Sequence, residues 1–299
     1  MNLDGADVFV PDGVDPMAAV ERTTHLAVGA HQDDVPIMAY HGIVECFGRE
    51  DRWFTAVTVT DGAGSPRSGP YADHSDEDMQ GVRAAEERKA AVVGEYAAAI
   101  QLGHSSGAAK SPDASDIVDR LARILDRARP GVVYTHNLAD KHDTHVAVAI
   151  RTLEALRTLP PERRPEAVYG CEVWRDLDWL TDADKVRFDV SARQNIATAL
   201  LGIYDSQVGG GKRYDLATMG RRLAHATFAE SHAVDDAPAV VLGMDLTSLV
   251  TESMLDIGEY VVAHIDRMKD EITERIDRLS AGSDRSDVPP AVHREEGKQ

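Results

Sequence analysis

Residues 24–34 read THLAVGAHQDD, an apolar run that gives way at once to a cluster of titratable side chains. THLAVGA (Thr24–Ala30) is apolar without strict alternation, as expected of a strand covered on both faces in a parallel sheet. Beyond it, Ile37, Met38, Tyr40, His41, Val44 and Phe47 fall near helical spacing, with Pro36 in a tolerated first turn and Gly48 as terminator. A strand that ends in polar residues and runs into a helix is the unit of an open α/β sheet, whose ligand crevices lie at the carboxyl ends of its strands.

Outward from that stretch, WFTAVTVT (Trp53–Thr60) is a second strand, rich in β-branched and aromatic residues. It opens into DGAGSPRSGPYADHSDED, a loop of about eighteen residues and long enough to suggest binding. Met79–Gly94 follows a helical pattern, Ala97–Leu102 a strand, Ile117–Ala128 a helix stopped by Pro130, and Gly131–Thr135 a fourth strand. HNLADKHD is a polar loop before the helix THVAVAIRTLEALRTL, and Ala167–Val173 is a fifth strand. This alternation, with no internal repeat, predicts an α/β, Rossmann-like three-layer sandwich with a mostly parallel sheet and right-handed crossovers. Residues 1–20 read as a polar leader and 21–245 as the domain. Residues 246–280 read as one long amphipathic helix, with Val261, Ile265, Met268, Ile272, Ile276 and Leu279 at steps of 3 and 4. That stripe packs on the body or on a twin subunit, which would make a homo-oligomer. Residues 281–299, polar and with two prolines, read as a disordered tail.

The chain has 299 residues, 43% of them hydrophobic, enough for a substantial core. Its 51 Asp and Glu against 32 Lys and Arg give a formal net charge of -19, which argues against nucleic acid or an anionic membrane as partner. Cys46 and Cys171 alone exclude a disulfide framework and a Cys-built structural zinc site, and fit a reducing compartment. Asp4, Asp7, Asp12 and Asp15 stand where a secretory signal needs positive charge and then an apolar run. No stretch approaches the roughly 18 continuous apolar residues of a transmembrane segment. The expected location is the cytoplasm.

His31, Asp33 and Asp34 emerge where the first strand meets its helix. His31 and Asp34, at i and i+3, can face one side of the first turn, and both are ordinary zinc ligands. The fourth strand ends at a second cluster, His136, Asp140, His142, Asp143 and His145, which an adjacent strand end would bring against the first. His31, Asp34 and His145 would supply the three protein ligands and one open position of a catalytic zinc site. The blander readings are helix caps for Asp33 and Asp34, a core-edge imidazole for His145 and a solvated cap neighbour for His142.

AVGAHQDD, with THNLADKHDTHVAVA downstream, resembles the signatures of the LmbE-like (PIG-L) family of metal-dependent N-acetylglucosaminyl deacetylases: AHPDD after the first strand and a later HPDH-like element. TVTDGAGSP, Arg83, Glu86, Val93-Gly94, YDSQ (Tyr204–Gln207) and TFAES (Thr227–Ser231) extend the resemblance over roughly residues 24–232. The resemblance implies a hydrolase that removes the N-acetyl group from an N-acetylglucosamine-type sugar or glycoconjugate, releasing acetate and a free amine. It implies Zn²⁺, or Fe²⁺ in its place, on His31, Asp34 and His145, with Asp33 as general base and His142 as general acid. Gln32 stands where the family has Pro, Val35 where an acidic residue is frequent, and Asp143-Thr144 where it has Pro-Asp. Any orienting role of that missing Asp passes to Asp143, Asp140 or a backbone group.

Substrate contacts are expected from the loop after the second strand, where Arg67 would hold a phosphate or carboxylate, and from His104 at the end of the third. His136 would orient a ligand through its second nitrogen. GGGK (Gly209–Lys212) lacks the spacing of a P-loop and reads as a flexible loop. Two other functions compete. One is a metal-dependent hydrolase of a phosphoester or of a non-sugar amide or ester. The other is a Rossmann-like module that binds a sugar or nucleotide without chemistry, although the first strand offers it no G-x-G-x-x-G.

Overall fold

The computed structural model describes residues 5–252 and 254–280, and the tail expected at 281–299 lies outside the described residues. Among the described residues, eight strands form one sheet: β1 (Asp7–Phe9), β2 (His25–Gly29), β3 (Phe54–Thr60), β4 (Ala98–His104), β5 (Val132–His136), β6 (Ala167–Cys171), β7 (Lys185–Asp189) and β8 (Val240–Asp245). Twelve helices join them: α1 (Pro16–Glu21), α2 (Asp34–Met38), α3 (Tyr40–Cys46), α4 (Asp76–Val93), α5 (Ser106–Lys110), α6 (Ser115–Ala128), α7 (Asp143–Thr158), α8 (Gln194–Gly202), α9 (Asp205–Val208), α10 (Tyr214–Thr227), α11 (Thr247–Thr251) and α12 (Ile257–Ser280). The sheet order is β1-β4-β3-β2-β5-β6-β8-β7, with β4, β3, β2, β5 and β6 mutually parallel and β1 and β8 antiparallel to their neighbours.

Alternation along the strands feeds two apolar clusters. Leu26, Val28, Val57, Val59, Ile100 and Val133 join α1, α6 and α7 on one side. Ala27, Phe54, Ala56, Ala99 and Tyr134 join α2, α3 and α8 on the other. Burial on both faces is why the central strands read as continuous apolar runs. The chain leaves β2 towards β3 and β4, then returns to β5 on the other side of β2. That reversal is a topological switch point, and it opens a crevice between the carboxyl ends of β2 and β5.

Three expectations change. The segment read as a leader contributes β1, paired with β4 through Asp7–Gln101, Val8–Ile100 and Phe9–Ala99. The helix expected after His31 is two helices that meet at Ala39, because buried Arg222 donates to the carbonyls of Pro36 (2.7 Å) and Ile37 (3.3 Å) that a continuous helix would use. The long helix expected from Leu246 is likewise divided. α11 ends at Thr251, and Asp256 caps α12 by accepting the Glu259 N–H at 2.9 Å. Ile257, Tyr260 and Val261 pack on the body, while Ile265, Ile272, Ile276 and Leu279 are exposed in this single chain. No helix among the described residues is long and apolar enough to cross a membrane.

Candidate metal and active site

β2 ends at Gly29, and α2 begins at Asp34. The turn between them folds back on itself: Asp34 Oδ2 accepts the His31 N–H at 2.7 Å and lies 3.1 Å from His31 Nδ1. From the neighbouring strand end, α7 brings His145 Nε2 to 3.2 Å from His31 Nδ1 and 3.4 Å from Asp34 Oδ2. These three atoms form a nearly equilateral triangle. Its edges match the roughly 3.3 Å between donors on a tetrahedral ion with bonds of about 2.0 Å. Two imidazole nitrogens and a carboxylate oxygen this close can share a divalent cation, and two overlapping sets, His31, His142 and His145, and Asp34, His136 and His145, are also near enough to hold one.

Burial alone would favour a protonated Asp34, but the rings of His145, His31 and His136 outweigh it and hold the carboxyl well below its ordinary range. Burial would also discharge His145, and Asp34 and Asp140 reverse that, raising its pKa. Asp140 Oδ1 lies 3.6 Å from His145 Nδ1, so the ring is steadied on the side away from Asp34. Burial opposes ionisation of Asp140 too, yet His145 and the His142 N–H bring it down to about 2. Its two oxygens accept from His142 N (3.0 Å) and Trp174 N (3.0 Å), tying the β5–α7 loop to the segment after β6.

His142 and Asp33 flank the triangle. His142 is the cap residue of α7, and its Nδ1 accepts the Thr144 N–H at 3.3 Å. A backbone group therefore orients this ring. Asp33 makes no side-chain cap for α2. Its Oδ1 accepts instead from Arg83 Nη2, and Arg83 Nη1 also reaches Glu86 Oε2 and Ser206 Oγ, each at 3.3 Å. Arg83 is 1% exposed, so this pairing is desolvated and geometrically fixed. His31, Asp33, Asp34 and His142 all line one cavity of about 390 Å³, with Trp174, Gln207, Lys212 and Tyr214 from the second half of the chain.

Two of the expected substrate contacts lie elsewhere. Arg67 is held by the Ala63 carbonyl (2.9 Å) and Asp76, and it is Gly62, Gly64, Ser65 and Pro66 of the same loop that reach the cavity. His104 turns to Arg120 Nη1 (2.8 Å) and Asp116 (3.6 Å), because the adjacent helix α6 carries both partners. His136 lies beneath the site, fully buried. Its Nε2 accepts the Ala30 N–H at 2.8 Å and sits 3.4 Å from Asp34 Oδ2, so it fixes the turn rather than facing the cavity. Sequence reasoning missed Trp174 and Lys212. Trp174 follows the carboxyl end of β6, the same rule that located the other clusters.

The sequence profile of the family described as "PIG-L: GlcNAc-PI de-N-acetylase" matches residues 26–156, the span that contains both clusters. The fold is shared by solved structures of low identity. GalB, the 4-carboxy-2-hydroxymuconate hydratase of Pseudomonas putida KT2440, has a TM-score of 0.58 at 16% identity, over 75% of this chain and 96% of that one. The N,N'-diacetylchitobiose deacetylase of Pyrococcus horikoshii has 0.59 at 13%, over 74% and 83%. The A40926 pseudoaglycone deacetylase Dbv21 has 0.53 at 18%, over 75% and 97%. No curated protein sequence matches the chain.

Proposed function

We propose that this protein is a metal-dependent hydrolase that removes the acetyl group from an N-acetylglucosamine-type sugar or conjugate. A fold that also serves a hydratase does not decide the reaction, so the proposal rests on the site. The observation that carries it is the His31–Asp34–His145 triangle beside Asp33, whose Oδ2 accepts from no group among the described residues, on the wall of one cavity. Two apolar clusters on opposite faces of the sheet support the reading of the architecture as a three-layer, Rossmann-like sandwich.

Two imidazoles and a carboxylate suit Zn²⁺ and also Fe²⁺, and three protein ligands leave room for water and substrate. A bound divalent ion supplies Lewis acidity, polarising a carbonyl and making water a better nucleophile near neutral pH. Asp33 takes a proton through its open Oδ2 as water adds to the acyl carbon. The same carboxyl returns that proton to the nitrogen when the C–N bond breaks, giving acetate and a free amine. Since His142 Nδ1 accepts the Thr144 N–H, the neutral ring presents Nε2–H. Burial, reinforced by His145 and His31, lowers the pKa of His142 and favours that neutral form. The acid role implied for His142 thus narrows to a hydrogen bond to the carbonyl oxygen as charge develops there.

The test is elemental analysis of purified protein coupled to acetate-release assays over N-acetylglucosamine and its conjugates. One divalent ion per chain with acetate release supports the proposal. Ligand binding without metal or turnover would favour a non-catalytic module, and turnover of non-sugar amides alone would move the substrate class.

A further inference from the structure

The segment GGGK (209–212) is part of the cavity wall. After α9 the chain turns back on itself: Gly209 N–H donates to Asp205 O (2.7 Å) and Lys212 N–H to Gln207 O (2.8 Å). A Cβ at Gly210 would lie 2.1 Å from the Ser206 carbonyl oxygen, and Gly211 has φ +101°, so neither position accepts an ordinary side chain. The loop after β3 secures this turn, with Ser68 Oγ donating to Gly210 O at 2.8 Å and Tyr71 Oη donating to Asp205 Oδ2 at 2.6 Å. The turn delivers Lys212 to the cavity, where its Nζ lies 4.9 Å from the centre of the Trp174 ring.

Lys110, the last residue of α5, lines the same cavity. The chain has only seven lysines, and acidic residues outnumber basic ones 51 to 32. Even so, neither Lys110 nor Lys212 has a carboxylate at ion-pair distance among the described residues. Lys185 by contrast pairs with Asp178 and Asp182, and Lys269 with Asp266. The other cation on the wall, Arg83, is neutralised by Asp33 and Glu86. Two lysines without an ion-pair partner among the described residues therefore line the cavity that also holds the proposed catalytic residues.

We propose that Lys110 and Lys212 bind an anionic group, a phosphate or a carboxylate, carried by the substrate beyond its N-acyl group. This inference rests on the hydrolase reading, and it assigns to these lysines the contact expected of Arg67. Ammonium groups on flexible stems suit an anion of variable position, whereas a fixed bidentate clamp would call for Arg. Trp174, 37% exposed beside Lys212, offers an apolar face to the ring of the same substrate.

The test compares N-acetylglucosamine, N-acetylglucosamine 1-phosphate and N-acetylmuramic acid as substrates of the metal-loaded chain. The wild type is expected to favour at least one anionic probe about tenfold in kcat/KM, through KM, and to lose that preference as salt rises. Which probe is favoured tells phosphate from carboxylate. The double variant Lys110→Glu, Lys212→Glu should abolish or invert the ratio. Equal use of all three by the wild type, or an unchanged ratio in the double variant, would overturn the inference. If no probe releases acetate from the metal-loaded chain, the N-acetylglucosamine reading fails instead. Salt-sensitive binding of inorganic phosphate, lost in the double variant, would still uphold the lysine assignment, and its absence would sink that too.

Discussion

Glu87→Gln should make the folded protein more stable at alkaline pH. Glu87 lies on α4 and is 1% exposed; its Oε2 accepts from Tyr204 Oη at 2.9 Å, and its Oε1 has no partner. Burial pushes its pKa from 4.5 up to about 8, with Tyr204 and Arg83 only partly opposing it. Arg83 on the preceding turn is committed to Asp33 and Glu86. Glu87 is therefore protonated in the folded chain at neutral pH and ionised in the unfolded one. The unfolded state binds fewer protons across the interval, so stability falls as pH rises, by about 1.4 kcal/mol per unit. From pH 4.5 to pH 8 the loss is on the order of 4 kcal/mol, and it levels off above the folded pKa. Gln keeps the shape and the acceptor for Tyr204 but cannot ionise. Urea unfolding of both proteins at pH 5, 6, 7 and 8 measures the difference, in which contributions from other titrating groups cancel. The variant should gain little near pH 5 and several kcal/mol near pH 8, with m-values unchanged. Parallel stability curves would refute the reasoning.

Asp33→Asn should lower kcat by roughly 10²–10⁴ while leaving metal content intact, because it removes the proton acceptor but no donor of the triangle; metal loss in the variant would contradict that division. His142→Gln should lower kcat more than it raises KM, since the proposed role of its Nε2–H is a hydrogen bond to charge that develops during the reaction; a change in KM alone would place His142 in binding. Gly210→Ala forces a Cβ against a backbone carbonyl 2.1 Å away, and thermal unfolding should show a loss of roughly 1–3 kcal/mol. An unchanged Tm would mean that the turn yields freely.

The five parallel strands and both titratable clusters were legible because two-sided burial makes each strand a continuous apolar run, and because the polar residues begin at each strand's carboxyl end. β2, β3 and β5 fall within one residue of their expected bounds at either end. β7 was not legible: KVRFD is a short edge strand, only partly buried and rich in charge. β8, VVLGMD, carries the β-branched signal, but its neighbour Leu246 was drawn into the helix beyond. The division at Ala39 depends on Arg222, more than 180 positions away, which no local pattern contains. At the candidate site, spacing singled out His31, Asp34 and His145, whose polar atoms the fold brings within 3.4 Å of one another. It could not show that Arg67 and His104 are held by nearby partners, Asp76 and Arg120, or that a glycine turn delivers Lys212.

The central claim is that His31, Asp34 and His145 grip one cation. Competition of the purified chain with a chromophoric chelator for Zn²⁺ measures this directly in the wild type and in His31→Ala, Asp34→Ala, His145→Ala and Asp33→Asn. One site per chain, weakened at least a hundredfold in the first three variants and preserved in Asp33→Asn, is the predicted result. No site in the wild type, or affinity indifferent to all four substitutions, would contradict the account.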